Sequence, residues 1–238
     1  MKPICLIGLN LLREQRWPIA VLLLWVAGSS LASGLGSAKL LVDDVLFFLK
    51  TQAVYGVAFI AFLASAAIHN ERKSRRILAV LSKGITRVEY IAGLLGGVLV
   101  AGAIYVLAMG VAGTFMFRAA GLQIAQLWEV MVLLMTALVV TSTVAMFFST
   151  FMTPLFATAA TAFALGTPAI AARLSGGAWT RVLPVYELMN SIITFSVNTA
   201  AGWSPVWSIV FWSMVDSVAL WLFGSWLFSY RDIAVAIE

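Results

Sequence analysis

Apolar residues run in long unbroken blocks along this chain, and charge is confined to the gaps between them. The long stretches without Asp, Glu, Lys or Arg cover residues 17–38, 51–70, 90–117, 130–172, 188–215 and 217–230. A helix needs about 20 apolar residues to cross the hydrocarbon core of a bilayer. The stretch 130–172 is therefore long enough for two helices, and Pro154 near its centre predicts a tight hairpin there. Asp216 alone separates the last two stretches, so 207–228 reads as one helix that leaves 188–203, rich in Asn, Ser, Thr and Gly, outside it. Six spans are expected, at about 18–37, 51–69, 91–114, 129–149, 154–172 and 206–228. The runs lack period-2 alternation, which favours helices over a closed barrel. The expected fold is an all-α polytopic membrane protein, one transmembrane domain over 1–238 with no stretch large enough for an independent soluble domain.

Composition supports this reading, with 62% of residues hydrophobic and 11% charged. The distribution of basic residues sets the expected orientation. With an inside N-terminus, Lys2, Arg13, Arg16, Arg72, Lys73, Arg75, Arg76, Lys83, Arg87 and Arg231 face the cytoplasm, against Lys39, Lys50, Arg118, Arg173 and Arg181 outside. Both termini are thus expected to be cytoplasmic, in a bacterial inner or plasma membrane. The net charge of +5 follows from insertion itself and is no sign of nucleic-acid binding. A single cysteine, Cys5, excludes an internal disulfide and a thiolate metal cluster within one chain. Small residues at 31–38 resemble a signal-peptide cleavage point, yet the apolar core before them exceeds the typical length of about 7–15 residues. It reads as an uncleaved span.

Residues 4–16 mix apolar positions with Asn10, Arg13, Glu14 and Arg16, and Pro18 follows. This predicts an amphipathic helix in the cytoplasmic interface, turned into the membrane at Pro18. Residues 39–50 read as a solvated outer loop, in which the pair Asp43 and Asp44 is too sparse for a cation site. Residues 173–203 read as short helices dipping into the outer leaflet, with a re-entrant stretch at 188–202 as an open alternative. Gly93, Gly97 and Ala101 form a small-residue stripe suited to close helix approach, within one chain or between two. Trp17, Trp128, Trp203, Trp207 and Trp226 stand near span ends, as an anchoring belt does.

One dense island of charge, residues 69–90, carries six of the fifteen basic residues. On a helix, Arg72, Arg75, Arg76 and Lys83 share one side, Ile77, Leu81, Ile85 and Val88 the other, and Gly84 marks a break. The run Glu71-Arg72-Lys73-Ser74, followed by Leu81-Ser82-Lys83-Gly84-Ile85-Thr86-Arg87-Val88-Glu89-Tyr90-Ile91-Ala92-Gly93, resembles a segment of the ABC-2 type permeases, the membrane subunits of type V ABC exporters. Those show Glu-Arg-Glu-Ser-Gly, then Leu-Leu-Ser-x-Pro, then Ser-Arg-x-Glu-Tyr and a Gly entering the third span. At the other end, Phe228-Ser229-Tyr230-Arg231-Asp232-Ile233 is similar to their Phe-x-x-Arg-Asp-Leu ending. Arg75 and Arg76 stand where the family has Gly-Thr, Leu78 where it has Glu, and Gly84 where it has Pro.

The resemblance implies that the island is a coupling helix seated in a separate ATP-binding subunit, with Glu71, Arg72, Arg75, Arg76, Leu81, Lys83, Arg87 and Glu89 at the contact. It implies a second permease copy or homologue as well. This chain has no Gly-x-x-x-x-Gly-Lys-Ser/Thr phosphate loop, so ATP and Mg would belong to the partner and no cofactor to this chain.

Within the spans, Asp216 is the one acid at mid-helix, with Ser213 and Ser217 beside it. It reads either as a polar contact in a translocation path or as a structural hydrogen-bond partner. The aromatic-rich last span (Trp207, Phe211, Trp212, Trp221) suits an apolar or amphipathic cargo. Two rival classes remain, an intramembrane enzyme and a membrane scaffold. One His, one terminal Cys and one mid-span acid supply neither a nucleophile with its base nor a metal site, so no catalytic or metal residue is assigned.

Overall fold

The computed structural model describes residues 3–36, 41–73, 85–175 and 204–230, all organised around helices and the turns between them. The helices are α1 (Pro3–Glu14), α2 (Arg16–Gly36), α3 (Val42–Lys73), α4 (Arg87–Ala119), α5 (Ile124–Ser149), α6 (Pro154–Ser175) and α7 (Ser204–Tyr230). Among the described residues four regions are long and apolar enough to cross a membrane, Val42–Glu71, Arg87–Ala119, Ile124–Ser149 and Trp207–Phe228. Arg16–Ala32 and Pro154–Gly166 form shorter apolar helices over the described residues. The expected outer segment beyond Ser175, with the 188–202 stretch and Trp203, lies outside the described residues.

Local chemistry explains where the helices stop. Proline lacks an N–H and its ring crowds the carbonyl four residues back. For Pro18 that carbonyl belongs to Glu14, where α1 ends, while Gln15 and Ile19 still donate to Leu11 and Gln15 at 2.9 and 3.1 Å. The break is thus a kink at Gln15, three residues before the proline. Pro154 instead opens α6, where a missing N–H costs nothing. Between α4 and α5, Gly121 adopts φ +71°, and Leu122 and Gly121 donate to the Phe117 and Arg118 carbonyls at 2.8 and 3.3 Å. That pattern is a Schellman turn, and its left-handed position suits glycine.

The sequence-based boundary of the second span needs revision. Residues 42–50, expected in a loop, are the first turns of α3, with Asp43 and Asp44 at its N-terminus. Acidic side chains there complement the helix dipole, and Val45, Phe48 and Leu49 bury on one face. At 32 residues α3 is about 48 Å long, well beyond the roughly 30 Å hydrocarbon core.

Helix α5 is the axis of the bundle. Of its most apolar window 78% is buried, against 22% for α7, and α3, α4, α6 and α7 all pack on it. Its hydroxyls turn inward to their own helix. Thr136, Thr141 and Thr143 donate to the carbonyls of Val132, Ala137 and Val140 at 2.9, 2.7 and 2.8 Å, so a polar face is buried without unpaired groups. Helix α1 packs along α4. Gly8 and Leu11 are buried there, while Leu6 and Leu9 are about half exposed on the other side. Of the two uses open to the small-residue stripe, Gly93 and Gly97 are covered by α1 of the same chain.

Candidate functional site

The charged island enters and leaves the bundle at one place, where the ends of α3, α4 and α7 meet. Helix α4 begins there with a capping box. Thr86 accepts from the Glu89 backbone N–H at 3.2 Å, and the Thr86 N–H donates to the Glu89 carboxylate at 3.0 Å. The exchange satisfies two backbone donors that a helix start leaves open. Thr-x-x-Glu is the readable signature of such a cap. Glu89, expected at a partner contact, therefore spends its carboxylate on its own helix terminus.

One turn further in, Tyr90 is fully buried and its hydroxyl donates to Glu71 at 3.0 Å. Glu71 is only 6% exposed. It ties the end of α3 to the start of α4. A buried carboxylate is tolerated only when hydrogen-bonded, which explains why a tyrosine stands opposite it.

Arg87, in the first turn of α4, donates from Nη1 to the Phe228 carbonyl at 3.3 Å. The last carbonyls of a helix lack intrahelical donors, and a guanidinium is a favourable partner for them. Phe228 is itself buried at 1% exposure. The two segments of sequence that carry the permease resemblance thereby touch, although 141 positions separate them.

The other expected contact residues fall differently. Arg72 lies on the last described turn of α3, whereas Arg75, Arg76, Leu81 and Lys83, with Gly84, lie outside the described residues, as do Arg231 and Asp232. Tyr90, Thr86 and Phe228 stand in the two motifs but carry no assigned role in the sequence, because their importance depends on partners that only folding supplies.

The α7 residues proposed for a path present a split arrangement. Ser213 and Ser217 are buried, and Ser217 donates to the Ser213 carbonyl at 2.8 Å. Asp216 lies at the edge of that buried face, half-exposed. The buried stripe continues through Trp221 and Ser225, one helical turn apart, beside Thr143 of α5 and Thr150 at its C-cap. The Ser213 hydroxyl, the Trp221 indole N–H and the Ser225 hydroxyl make no hydrogen bond among the described residues. This under-satisfied seam between α5 and α7 was missed beyond its first two serines. Its signal, polar residues every fourth position through 213, 217, 221 and 225, is present in the sequence. Of the aromatic side chains suggested for cargo, Trp221 lies in this seam, whereas Trp207, Phe211 and Trp212 are exposed by 55, 62 and 58%. Among the described residues no three His, Cys, Asp or Glu side chains converge as metal ligands do.

Compared with known proteins, the chain matches no family model, no curated protein and no solved structure.

Proposed function

We propose that this chain is the permease subunit of an ATP-driven ABC-2 type exporter, coupled to a separate ATP-binding subunit through the island at 71–89. The reading adds α2 and α6 to the four longer helices as spans, giving six, with both termini on the cytoplasmic side of a cell membrane and α1 at that interface. The observation that carries it is the contact between Arg87 and the Phe228 carbonyl, because it joins the two motifs on which the resemblance rests.

Mechanically, the arrangement suits a transmission point. A push on the island would act on α3 through Glu71, on α4 through Tyr90 and the capping box, and on α7 through Arg87. Helix ends joined by hydrogen bonds move as a unit, so a local displacement becomes a rigid shift of spans. The seam between α5 and α7, with its unpaired donors, supports a place where packing is least satisfied and separation least costly. The exposed apolar faces of α6 and α7, including Leu155, Phe163, Phe211 and Leu222, offer area for a second permease copy.

Co-purification of the chain with a phosphate-loop ATPase encoded beside it tests the assignment, with ATP turnover of the reconstituted complex as the readout. Arg75→Glu combined with Arg76→Glu should uncouple turnover from transport and weaken the complex. A complex that assembles and transports unchanged with both reversals refutes the assigned contact, and a chain that binds no ATPase refutes the function.

A further inference from the structure

Helices α2 and α3 touch sparingly, and only towards one end. There the Gln52 side-chain amide donates to the Ser29 hydroxyl at 2.8 Å, and Trp25 meets Tyr55 edge-on with ring centroids 6.0 Å apart. From that contact the helices diverge towards Gln15, leaving a groove of about 840 Å³. Such a volume falls within the range of small-molecule sites, roughly 300–1,000 Å³. Val21 and Trp25 form one wall, and Tyr55, Phe59 and Phe62 the other. Most of this lining is apolar, and Phe62 and Val21 are 58 and 64% exposed.

Depth and charge identify what fills it. The ten residues of α2 from Arg16 to Trp25 rise about 15 Å, half of the roughly 30 Å hydrocarbon core, so the groove has the depth of one leaflet. It is closed at the inner end by the Trp25–Tyr55 contact and open where the chain carries cations. Arg13 and Arg16 are exposed on either side of Gln15, and the Arg16 guanidinium lies 5.8 Å from the centroid of the Trp17 ring. Glu14 between them accepts from the Asn10 side-chain amide at 3.3 Å. An apolar slot lined at its Gln15 end by Trp17, with exposed Arg13 and Arg16 two and one positions from Gln15 along the chain, matches an amphiphile with an anionic head.

We propose that the α2–α3 groove binds one acidic phospholipid, its acyl chains between Val21 and Phe62 and its phosphate facing Arg13 and Arg16. This site is independent of the exporter assignment and requires only that the helices sit in a bilayer. A lipid wedged there would hold α2 apart from α3 at one end while Ser29 and Gln52 hold them together at the other.

The full chain, purified in detergent, is titrated with phosphatidylglycerol or phosphatidylcholine and read by native mass spectrometry. One phosphatidylglycerol should be retained in preference to phosphatidylcholine by about 25-fold, corresponding to two basic residues near the headgroup. Arg13→Gln with Arg16→Gln should bring the two lipids to parity. Those side chains are exposed, so this variant reports on the site even if another unfolds. Val21→Trp, which fills the groove, should reduce retention of both lipids. Equal retention of the two lipids by the unaltered chain overturns the proposal, as does retention that Val21→Trp leaves undiminished. A mass of two chains that Val21→Trp returns to one overturns it too, because a second copy would then be the occupant.

Discussion

Gly8 of α1 lies directly against Gly97 of α4. A Cβ built on Gly97 would stand 2.8 Å from the Gly8 carbonyl oxygen and 3.0 Å from its Cα, both backbone atoms that no rotamer change can move. Gly96, one residue earlier, has nothing within 4 Å of its own Cβ position. The pair gives a sharp comparison. Gly97→Leu should destabilise the purified protein by about 1–3 kcal/mol or dislodge α1, whereas Gly96→Leu should leave the melting temperature in detergent unchanged. Equal melting of the two variants refutes this packing of α1.

The Tyr90 hydroxyl is the partner on which a second prediction rests. Tyr90→Phe keeps the ring in its buried site and removes one donor from Glu71, at a cost of about 1–3 kcal/mol. Adding Glu71→Gln should recover part of that loss, since a neutral amide is cheaper to bury than a carboxylate. A double-mutant cycle on chemical denaturation in detergent measures the coupling, and additive effects within about 0.3–0.5 kcal/mol would show that the two side chains do not interact.

The close approach of α3 and α4 near their middle depends on Gly56. Its Cβ position lies 2.9 Å from Cζ of the Tyr105 ring, while the Tyr105 hydroxyl donates to the Gln52 carbonyl. Gly56→Ala should be strongly destabilising, and Tyr105→Leu in the same chain should restore stability relative to the single glycine variant. Non-additivity of that sign distinguishes a steric contact from a loss of helix propensity, because alanine is the better helix former.

The Thr86 cap makes a smaller, local prediction. Thr86→Ala should cost about 0.5–2 kcal/mol and Thr86→Ser much less, because serine keeps the accepting oxygen. Amide hydrogen exchange over the first turn of α4 would report fraying in the alanine variant only.

The chain's single cysteine tests orientation without any substitution. Cys5 is exposed on α1, and with the N-terminus cytoplasmic as proposed, a membrane-impermeant maleimide should label it in inside-out vesicles and spare it in intact cells. In a Cys5→Ser background, Gln123→Cys, at an exposed position of the α4–α5 turn, should label from the opposite side to Thr153→Cys. Labelling of both from one side would mean that α5 does not cross the bilayer.

Sequence by itself determined the helical class and, apart from the first turns of α3, the approximate position of the described helices, since runs of apolar residues near 20 long leave the backbone few other ways to satisfy its hydrogen bonds in lipid. Punctuation was legible too. Pro154 opens α6, and Pro18 displaced the end of α1 to Glu14 through the carbonyl its ring crowds. Pairings between distant residues were not legible, because a one-dimensional pattern records a residue's polarity and not its partner. Glu71 and Glu89 looked alike as acids in a charged island. Only the tertiary structure buried the first against Tyr90 and turned the second onto the Thr86 cap. In the same way Gly93 and Gly97 announced a close approach, and the choice of α1 as the helix that makes it rested on Gly8, whose missing side chain lets two backbones come together.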